Sequence, residues 1–220
     1  MSKQQFFPDV RVLFFAKAPV AGRVKTRFIS ELGSEGALAL HKQLIQLTWQ
    51  RISEGPRWPI ELWMSESGEE GWFSRLCARD QMFVQHGVDL GERMSFALNQ
   101  ALQRAPYVLV VGADCVSLDT DYLLDAIMRL KAGASVVLGP AEDGGYVLLG
   151  VSHHVPQQVF LNIDWGSDRV LQQTRSRLMA SGIQWQELAL RWDVDVPADL
   201  PRLSDLIEKT LVEEPLVEES

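Results

Sequence analysis

Apolar and polar positions along this chain fall into blocks that predict strands and helices in turn. Short, nearly continuous apolar runs are typical of buried parallel strands, and longer segments with apolar residues at helical spacing are typical of helices packed on a sheet. The predicted strands are Val10–Lys17, Ile60–Met64, Met82–Val84, Tyr107–Gly112, Ala134–Leu138, Tyr146–Val151 and Trp185–Leu190. The predicted helices are Ser34–Ser53, Glu70–Ala78, Gly91–Arg104, Asp121–Lys131, Ser167–Ala180 and Ala198–Leu211.

The order of these elements predicts the fold class. Strands and helices alternate as far as Leu138, which favours an α/β fold with a parallel, doubly wound sheet and ligands at the carboxyl ends of its strands. Beyond Leu138 only a tight turn separates two apolar runs, so these strands are antiparallel or bent around an active-site loop. We expect one domain over residues 1–211 and a flexible tail over 212–220, which holds four Glu and one Pro.

The first predicted strand runs into a loop that concentrates positive charge. Lys17, Arg23, Lys25 and Arg27 lie within eleven residues, and Gly22 interrupts regular structure among them. A strand that ends in a glycine-bearing basic loop beside a helix is typical of phosphate sites, where backbone N–H groups and cations meet the anion. We interpret the loop as an anion site; the alternative is a solvated basic turn.

Length, charge and cysteine content narrow the class of protein. The 220 residues suit one large α/β domain, and the net charge of −8 argues against nucleic acid as the main partner. Cys77 and Cys115 form neither a disulfide framework nor a metal-binding spacing and fit a reducing compartment. No apolar run reaches membrane-spanning length, and the N-terminus lacks the core of a signal peptide. We expect a cytoplasmic protein without a membrane partner; its oligomeric state is not predicted.

Acidic residues follow the central strand and recur near the end of the chain. Asp114 comes just after the apolar run Tyr107–Gly112, where α/β proteins bind ligands, and Mg²⁺ prefers carboxylate oxygens. Asp119 in the same loop is interpreted as the cap of the following helix. Asp193 and Asp195 are alternate residues that would share one face of an extended segment and supply a second carboxylate. The alternatives are a solvated loop and Asp195 as a helix cap.

The remaining local signals are weaker. The segment Glu142–Tyr146 sets two acids against two glycines, which permits either close approach of a ligand or a simple hairpin turn. The four His residues show no metal-site or triad arrangement, and Cys115 is interpreted as a small buried residue.

Taken together, these segments carry a family resemblance that extends over about Val10 to Leu200. The segments Phe15–Arg27, Gly112–Cys115, Gly139–Tyr146 and Asp193–Pro197 occur in this order and resemble DUF2064, also called radical-SAM/selenodomain-associated transferase 1. That family is glycosyltransferase-A-like and is similar to nucleotide-diphospho-sugar transferases and small nucleotidyltransferases. Ile163–Ser167 also resembles a family loop. Two positions depart from the family pattern, since Val116 and Val196 stand where Pro and Thr are usual.

The resemblance implies a single three-layer αβα sandwich with a mostly parallel, Rossmann-like sheet. It implies Mg²⁺ or Mn²⁺ at Asp114 and Asp195, with Asp193 or Asp195 as the second ligand, and catalytic roles for Asp114, Asp143 and Lys25. The implied nucleotide-binding residues are Ala16, Lys17, Gly22, Arg23, Lys25, Thr26 and Arg27. The implied acceptor-binding residues are Glu142, Asp143, Gly144, Gly145 and Trp165.

The function expected from these residues is metal-dependent transfer from a nucleotide-activated donor, a nucleotide sugar, to a small-molecule acceptor. The alternatives are a nucleotidyltransferase that joins a nucleoside triphosphate to a phosphorylated acceptor with release of pyrophosphate, and a nucleotide-binding protein without turnover. A P-loop NTPase is excluded because Val24 replaces the glycine that must precede Lys25. A dinucleotide-binding oxidoreductase is disfavoured because no Gly-x-Gly-x-x-Gly follows the first strand.

Overall fold

A single twisted sheet forms the centre of the computed structural model, which describes residues 6–54 and 58–213. Its strands are β1 (Val10–Ala16), β2 (Ile60–Met64), β3 (Met82–Val84), β4 (Tyr107–Gly112), β5 (Val136–Pro140), β6 (Tyr146–Val151) and β7 (Trp185–Glu187). Their spatial order is β3-β2-β1-β4-β6-β5-β7. Strand β6 is antiparallel to both neighbours, and every other pairing is parallel.

Helices cover both faces of this sheet, because its central strands are apolar on both sides. The helices are α1 (Ile29–Ser53), α2 (Glu70–Phe73), α3 (Leu90–Leu102), α4 (Thr120–Lys131), α5 (Val170–Ala180) and α6 (Leu200–Glu213). One core layer joins α1 and α4 to the sheet, and the opposite layer joins α3 and α5. A smaller cluster packs α6 against the first half of α1. These layers confirm the predicted αβα sandwich with a mostly parallel sheet.

Several predicted boundaries are wrong, and each has a local cause. Gly33 has φ +68° and interrupts α1, which starts at Ile29 rather than Ser34. Helix α2 stops at Phe73 instead of Ala78, because Leu76 and Cys77 reach the core from a turn. The other corrected starts or ends are those of α3, α4, α5, α6, β1, β5 and β7. Helix α6 runs to Glu213, and residues 214–220 of the predicted tail lie outside the described part of the chain.

The carboxyl ends of several strands lie along one edge of the sheet, which forms a binding face. Strands β1, β2, β3 and β4 are parallel neighbours, so their carboxyl ends meet at the same edge. Because β6 is antiparallel to β4, its first residue, Tyr146, also lies at this edge. Ligands of open α/β sheets bind in such a position. No helix within residues 6–54 and 58–213 is long and apolar enough to cross a membrane.

Candidate functional site

A cleft of about 830 Å³ opens at the carboxyl ends of the parallel strands. The loops after β1 and β4 line one part of it, and the start of α3 with the loop before α5 lines another. The predicted site residues in its wall are Ala16, Lys17, Lys25, Thr26, Arg27, Asp114, Asp143, Gly145, Trp165, Asp193 and Asp195. The loops that the chain pattern singled out therefore converge on one cavity.

Lys25 lies at the centre of the charged part of this cleft. Its side chain is only 6% exposed, and its Nζ donates to Asp114 Oδ2 at 2.9 Å and to the Val194 carbonyl at 2.5 Å. Asp195 Oδ1 lies 3.7 Å from the same nitrogen. The backbone of Lys25 adopts the left-handed region with φ 44°, which is uncommon for a residue with a side chain and is typical of functional turns. Two acidic loops thus converge on one cation.

This ion cluster decides which groups carry charge. Burial acts to lower the pKa of Lys25, but the carboxylates of Asp114, Asp195 and Asp193 outweigh it and hold that pKa above its usual value. Burial acts to raise the pKa of Asp114, yet the Lys25 ammonium outweighs it and keeps the pKa low. Both members of the pair are therefore charged at neutral pH.

The pKa of Asp193 shifts in the opposite direction to that of Asp114. Burial, followed by repulsion from Asp114 and Asp143, raises the pKa of Asp193 to about 7. The Lys25 charge lowers it only in part, because that ammonium bonds Asp114 directly and Asp193 lies outside hydrogen-bond reach of it. One carboxylate thus remains ionised and another titrates near neutrality within the same cleft.

The other cations of the basic loop have separate positions. Arg27 pairs with Asp195, so it belongs to the cluster around Lys25. Arg23 pairs at 3.1 Å with Glu66 on the surface, and neither Arg23 nor Gly22 contributes to the cleft wall. Lys17 lines the cleft, is exposed, and has no ion pair within the described part of the chain. Lys17 is therefore the loop cation that a bound anion can reach without displacing an existing pair.

Local contacts separate capping acids from acids aimed at the cleft. Asp119 Oδ1 accepts the Tyr122 N–H at 2.8 Å and caps α4, as expected. The cap alternative for Asp195 is wrong, because Asp199 Oδ2 accepts the N–H groups of Asp195 and Val196 at 2.8 Å each. Asp195 is thereby free to meet Lys25 and Arg27. The predicted start of α5 at Ser167 is also wrong, since α5 begins at Val170 after Arg169.

The turn between β5 and β6 shapes the opposite wall. Asp143 Oδ1 accepts the Gly145 N–H at 2.8 Å, which fixes that carboxylate at the cleft. Gly144 has φ +86°, and a Cβ there would lie 2.1 Å from the Asp168 carbonyl oxygen, so only glycine fits. Its own carbonyl accepts the Leu171 N–H at 2.8 Å. Glu142 points elsewhere and pairs at 2.7 Å with Arg202.

The chain pattern assigned no site role to several polar residues of the cleft, among them His41, Ser65, Gln85, Arg93 and Asp168. Ser65 and Gln85 directly follow β2 and β3, so the strand-end rule that singled out Asp114 could have found them. His41 is buried on α1, and its Nε2 lies 3.0 Å from the Lys17 carbonyl. Burial lowers the pKa of His41. No spacing signal marks His41 or Arg93, because their positions depend on tertiary packing.

The charge pattern is compatible with a cation site but does not form a complete one. Within residues 6–54 and 58–213, no group of three or more His, Cys, Asp or Glu side chains is arranged to hold a metal ion. Asp114 and Asp195 nevertheless converge on one point, which the Lys25 ammonium takes. The predicted metal set of Asp114, Asp193 and Asp195 stays a prediction.

Comparison with known proteins gives a family and a fold. The sequence profile of DUF2064, described as an uncharacterized protein conserved in bacteria, matches residues 48–167. No curated protein matches the chain. A structure from Desulfovibrio desulfuricans G20, described as a candidate nucleotide-diphospho-sugar transferase, has a TM-score of 0.76 and 26% identity. That alignment covers 92% of this chain and 98% of the other.

Two more distant structures share the fold alone. CMP:2-keto-3-deoxy-manno-octonic acid synthetase complexed with CTP has a TM-score of 0.60 and 11% identity, over 92% of this chain and 99% of the other. A manganese complex of a Mycobacterium tuberculosis H37Rv protein has a TM-score of 0.51 and 16% identity, over 90% and 98%. The architecture is therefore that of nucleotide-diphospho-sugar transferases and cytidylyltransferases.

Proposed function

The chain belongs to the DUF2064 family, and on that basis we propose that it is a transferase that uses a nucleotide-activated donor, a nucleotide sugar. The observation that carries this proposal is the cluster in which Lys25 lies between Asp114 and Asp195 at the carboxyl ends of β1 and β4. Paired acids and cations at this edge are suited to a diphosphate and its counter-ion.

Lys17 and the loop that follows it would bind the donor phosphates. Lys17 reaches the cleft without an ion pair in the described residues, whereas Lys25 and Arg27 are held by carboxylates. The His41 side chain fixes the Lys17 carbonyl, which orients the start of the loop. Fixed positive charge near the leaving diphosphate stabilises the negative charge that develops there.

A divalent cation fits this donor set in part. Two carboxylates, Asp114 and Asp195, already converge on one cation position, and Mg²⁺ commonly takes one or two carboxylates and completes its shell with water and substrate phosphates. Mg²⁺ or Mn²⁺ held there would neutralise charge on the leaving diphosphate. One structure with this fold was solved as a manganese complex. Metal binding by this chain is part of the proposal.

In the proposed mechanism Asp143 takes the proton of the acceptor hydroxyl. One of its oxygens is held by the Gly145 N–H, and the other has no hydrogen bond within the described residues. In the proposed reaction the acceptor oxygen bonds to the sugar carbon, the bond from that carbon to the diphosphate breaks, and Asp143 accepts the proton. The nucleoside diphosphate leaves with the bonding electron pair.

Nucleotidyl transfer is the second candidate, and one observation favours it. Several structures with this fold are cytidylyltransferases, including one complexed with CTP. The same cluster would then bind a triphosphate and stabilise pyrophosphate as the leaving group. A nucleotide-binding protein without turnover has the same binding requirements and differs only in the absence of product.

Calorimetric titration of the purified chain tests the proposal. Nucleoside triphosphates, diphosphates and nucleotide sugars are titrated with Mg²⁺ or Mn²⁺ present and then with a chelator. We expect a nucleotide sugar to bind only when the metal is present. In Asp114→Asn and in Asp195→Asn we expect this metal-dependent binding to be lost. Asp205→Asn, an exposed acid on α6 outside the cleft, is the matched control.

Product analysis then separates the candidates. Phosphorus NMR of reaction mixtures distinguishes release of a nucleoside diphosphate, expected for sugar transfer, from release of pyrophosphate, expected for nucleotidyl transfer. Binding without either product would favour the non-catalytic alternative. Absence of binding by every nucleotide would contradict the proposal.

A further inference from the structure

Arg93 presents a positive charge to a part of the cleft that the proposed mechanism does not use. It lies near the start of α3 and contributes to the cleft wall. Its Nε donates to the Gly87 carbonyl at 3.1 Å. Gly87 has φ +144°, and a Cβ there would lie 2.7 Å from the Arg93 backbone nitrogen, so the turn requires glycine. The guanidinium is therefore held at its base by a tight turn.

The charge of Arg93 has no carboxylate partner among residues 6–54 and 58–213. No carboxylate lies within ion-pair distance of it in the parts of the chain that the structure describes. The nearest acid on its own helix, Glu92, uses its Oε2 to accept the Val88 N–H at 3.0 Å. Asp168 also lines the cleft and forms no ion pair with Arg93. A half-buried, unpaired guanidinium is well suited to a carboxylate or phosphate, whose two oxygens match its planar fork.

Aromatic and apolar side chains line the same cleft as this cation. Trp165 and Tyr146 form an edge-to-face pair with ring centroids 6.4 Å apart, and both line the cleft. A Cβ on Gly91, two residues before Arg93, would lie 2.8 Å from the Trp165 ring, so α3 and the indole are in close contact. Met94 completes this wall. Such a surface binds the apolar body of a ligand whose charged end meets the guanidinium.

The Arg93 region lies apart from the loop assigned to the donor phosphates. Helix α3 packs on the sheet face opposite to α1, since Met94 belongs to one core layer and Ile45 of α1 to the other. Lys17 is fixed by His41, on the α1 side. The cleft thus has two cationic regions on different sides of the sheet edge.

We propose that Arg93 binds an oxyanion, a phosphate or a carboxylate, on the acceptor substrate, and that the apolar part of the acceptor lies against Trp165. This inference rests on the proposed function, because it assigns the donor phosphates to the Lys17 loop. It names the acceptor class as a small molecule with an apolar body and a single anionic group. Arg93 is then the residue that determines acceptor specificity.

Fluorine NMR of protein labelled with 5-fluorotryptophan tests this site directly. The Trp165 resonance is assigned by its loss in Trp165→Phe, and phenyl phosphate, benzoate and benzyl alcohol are the probes. We expect phenyl phosphate or benzoate to shift that resonance with saturation, and benzyl alcohol to bind at least about tenfold more weakly. Comparison of the two anions shows whether the site takes phosphate or carboxylate.

Matched variants assign the effect to Arg93. Arg93→Gln should weaken anion binding at Trp165 by about tenfold or more, and Arg93→Lys, which keeps the charge but loses the fork, should weaken it less. Lys17→Gln, which removes the unpaired cation on the other side, should change it by less than about twofold. Equal binding of benzyl alcohol and phenyl phosphate by the wild type, or equal affinity in Arg93→Gln, would overturn the proposal.

Nucleotide titrations of the same labelled sample separate this inference from the proposed function. If a nucleotide binds and phenyl phosphate still shifts Trp165, the anion site is distinct from the donor site, as proposed. If the nucleotide displaces phenyl phosphate, Arg93 belongs to the donor site and the inference is wrong. If phenyl phosphate binds through Arg93 and no nucleotide binds, the anion site stands and the proposed donor is wrong.

Discussion

The cleft has two regions of positive charge, one around Lys25 and one around Arg93, which differ in whether that charge is paired. Around Lys25 the ammonium is buried and already paired with Asp114, with Asp195 close by. Around Arg93 the guanidinium is half-buried, has no ion pair within the described residues and shares the cleft lining with Met94, Tyr146 and Trp165. The first region is therefore a cluster whose charges are already paired. The second holds an unpaired cation in a cleft that also has aromatic side chains in its lining.

This difference indicates what each region can do for a ligand. A ligand that binds at the Lys25 cluster must reorganise contacts that stabilise the fold, so binding and stability are coupled there. A ligand at Arg93 adds a contact that the free protein lacks. Substitutions in the first region should therefore change the free energy of unfolding, and those in the second should change affinity with little effect on stability.

The largest expected effect comes from disrupting the paired cluster around Lys25. Asp114→Ala leaves the Lys25 ammonium, 6% exposed, without its closest carboxylate. Because Asp114 is itself partly open to the cleft and Asp195 remains, we expect a loss of about 3 kcal/mol, at the lower end for a buried pair. Urea unfolding measures the loss.

A double-mutant cycle identifies the cause of that loss. In the double variant Lys25→Met with Asp114→Ala both members of the ion pair are removed, so neither leaves the other unpaired. The double variant should therefore be more stable than the sum of the single effects predicts. Asp205→Ala is the exposed control and should lie within about 0.5 kcal/mol of the wild type. Additive single effects would show that the loss does not come from leaving a buried charge unpaired. The proposed difference between the two regions would then be wrong.

The second effect concerns the turn that connects the two regions. Gly144→Ala would place a Cβ 2.1 Å from the Asp168 backbone oxygen at a residue with φ +86°, so the loop carrying Trp165 and Asp168 must move. We expect a loss of at least about 2 kcal/mol and a changed Trp165 fluorine resonance. Thermal and urea unfolding, with the labelled protein, provide both readouts.

Gly166→Ala is the matched control for this substitution. Gly166 has nearly the same backbone angle, φ +87°, but a Cβ there meets nothing within 4 Å. Only the backbone strain remains, which we expect to lower stability by about 1 kcal/mol. Equal losses of stability in Gly144→Ala and Gly166→Ala would show that the close contact between Gly144 and Asp168 does not hold the two walls of the cleft together.

These contrasts also show what the chain pattern can and cannot predict. The bounds of β2, β3, β4 and β6 were predicted because continuous or alternating apolar runs report strand burial directly. Helix α2 was predicted too long, because the apolar residues Leu76 and Cys77 reach the core from a turn that the periodicity cannot distinguish from helix. Local pattern identifies burial better than backbone conformation.

The site divides in the same way. Lys25 was singled out by the basic loop after the first strand, Asp114 by its place after the central strand, and Asp195 by its alternation with Asp193. The structure brings these three side chains together. That the Asp199 carboxylate accepts the N–H groups of Asp195 and Val196, while the Asp195 side chain does no capping, depends on loop geometry that spacing does not encode. Arg93 and His41 carry no local signal, because their roles arise only when α3 and α1 pack on opposite sheet faces.

A smaller effect distinguishes Asp193 from Asp114, the ionised acid of the same cluster. Asp193, with a folded pKa of about 7 against an unfolded value near 4, is protonated in the folded state between these limits. The unfolded chain binds fewer protons there, so the Asp193 contribution to stability falls as pH rises from about 4 to about 7 and is constant above. Asp193→Asn removes this dependence, because its side chain stays neutral.

Urea unfolding of both proteins in a chelating buffer measures the contribution of Asp193. Relative to the wild type, Asp193→Asn should gain about 2 kcal/mol between about pH 5 and about pH 8. Lys25, Asp114, Asp143 and Asp195 interact electrostatically with this carboxyl, and all are unchanged in the comparison. A difference that does not vary with pH would place Asp193 among ordinary surface acids.

The smallest expected effect lies outside both regions, at the ion pair between Glu142 and Arg202. Both side chains are about half exposed, so Glu142→Gln should change stability by less than about 0.5 kcal/mol and leave phenyl phosphate affinity at Trp165 within about twofold. Arg202→Gln should cost slightly more, because the guanidinium also stacks 4.4 Å from the Trp192 ring centroid. Urea unfolding and fluorine NMR measure these effects. If Glu142→Gln weakened anion binding substantially, acceptor recognition would extend to the β5–β6 turn, as the family resemblance implied, and the Arg93 region would not act alone.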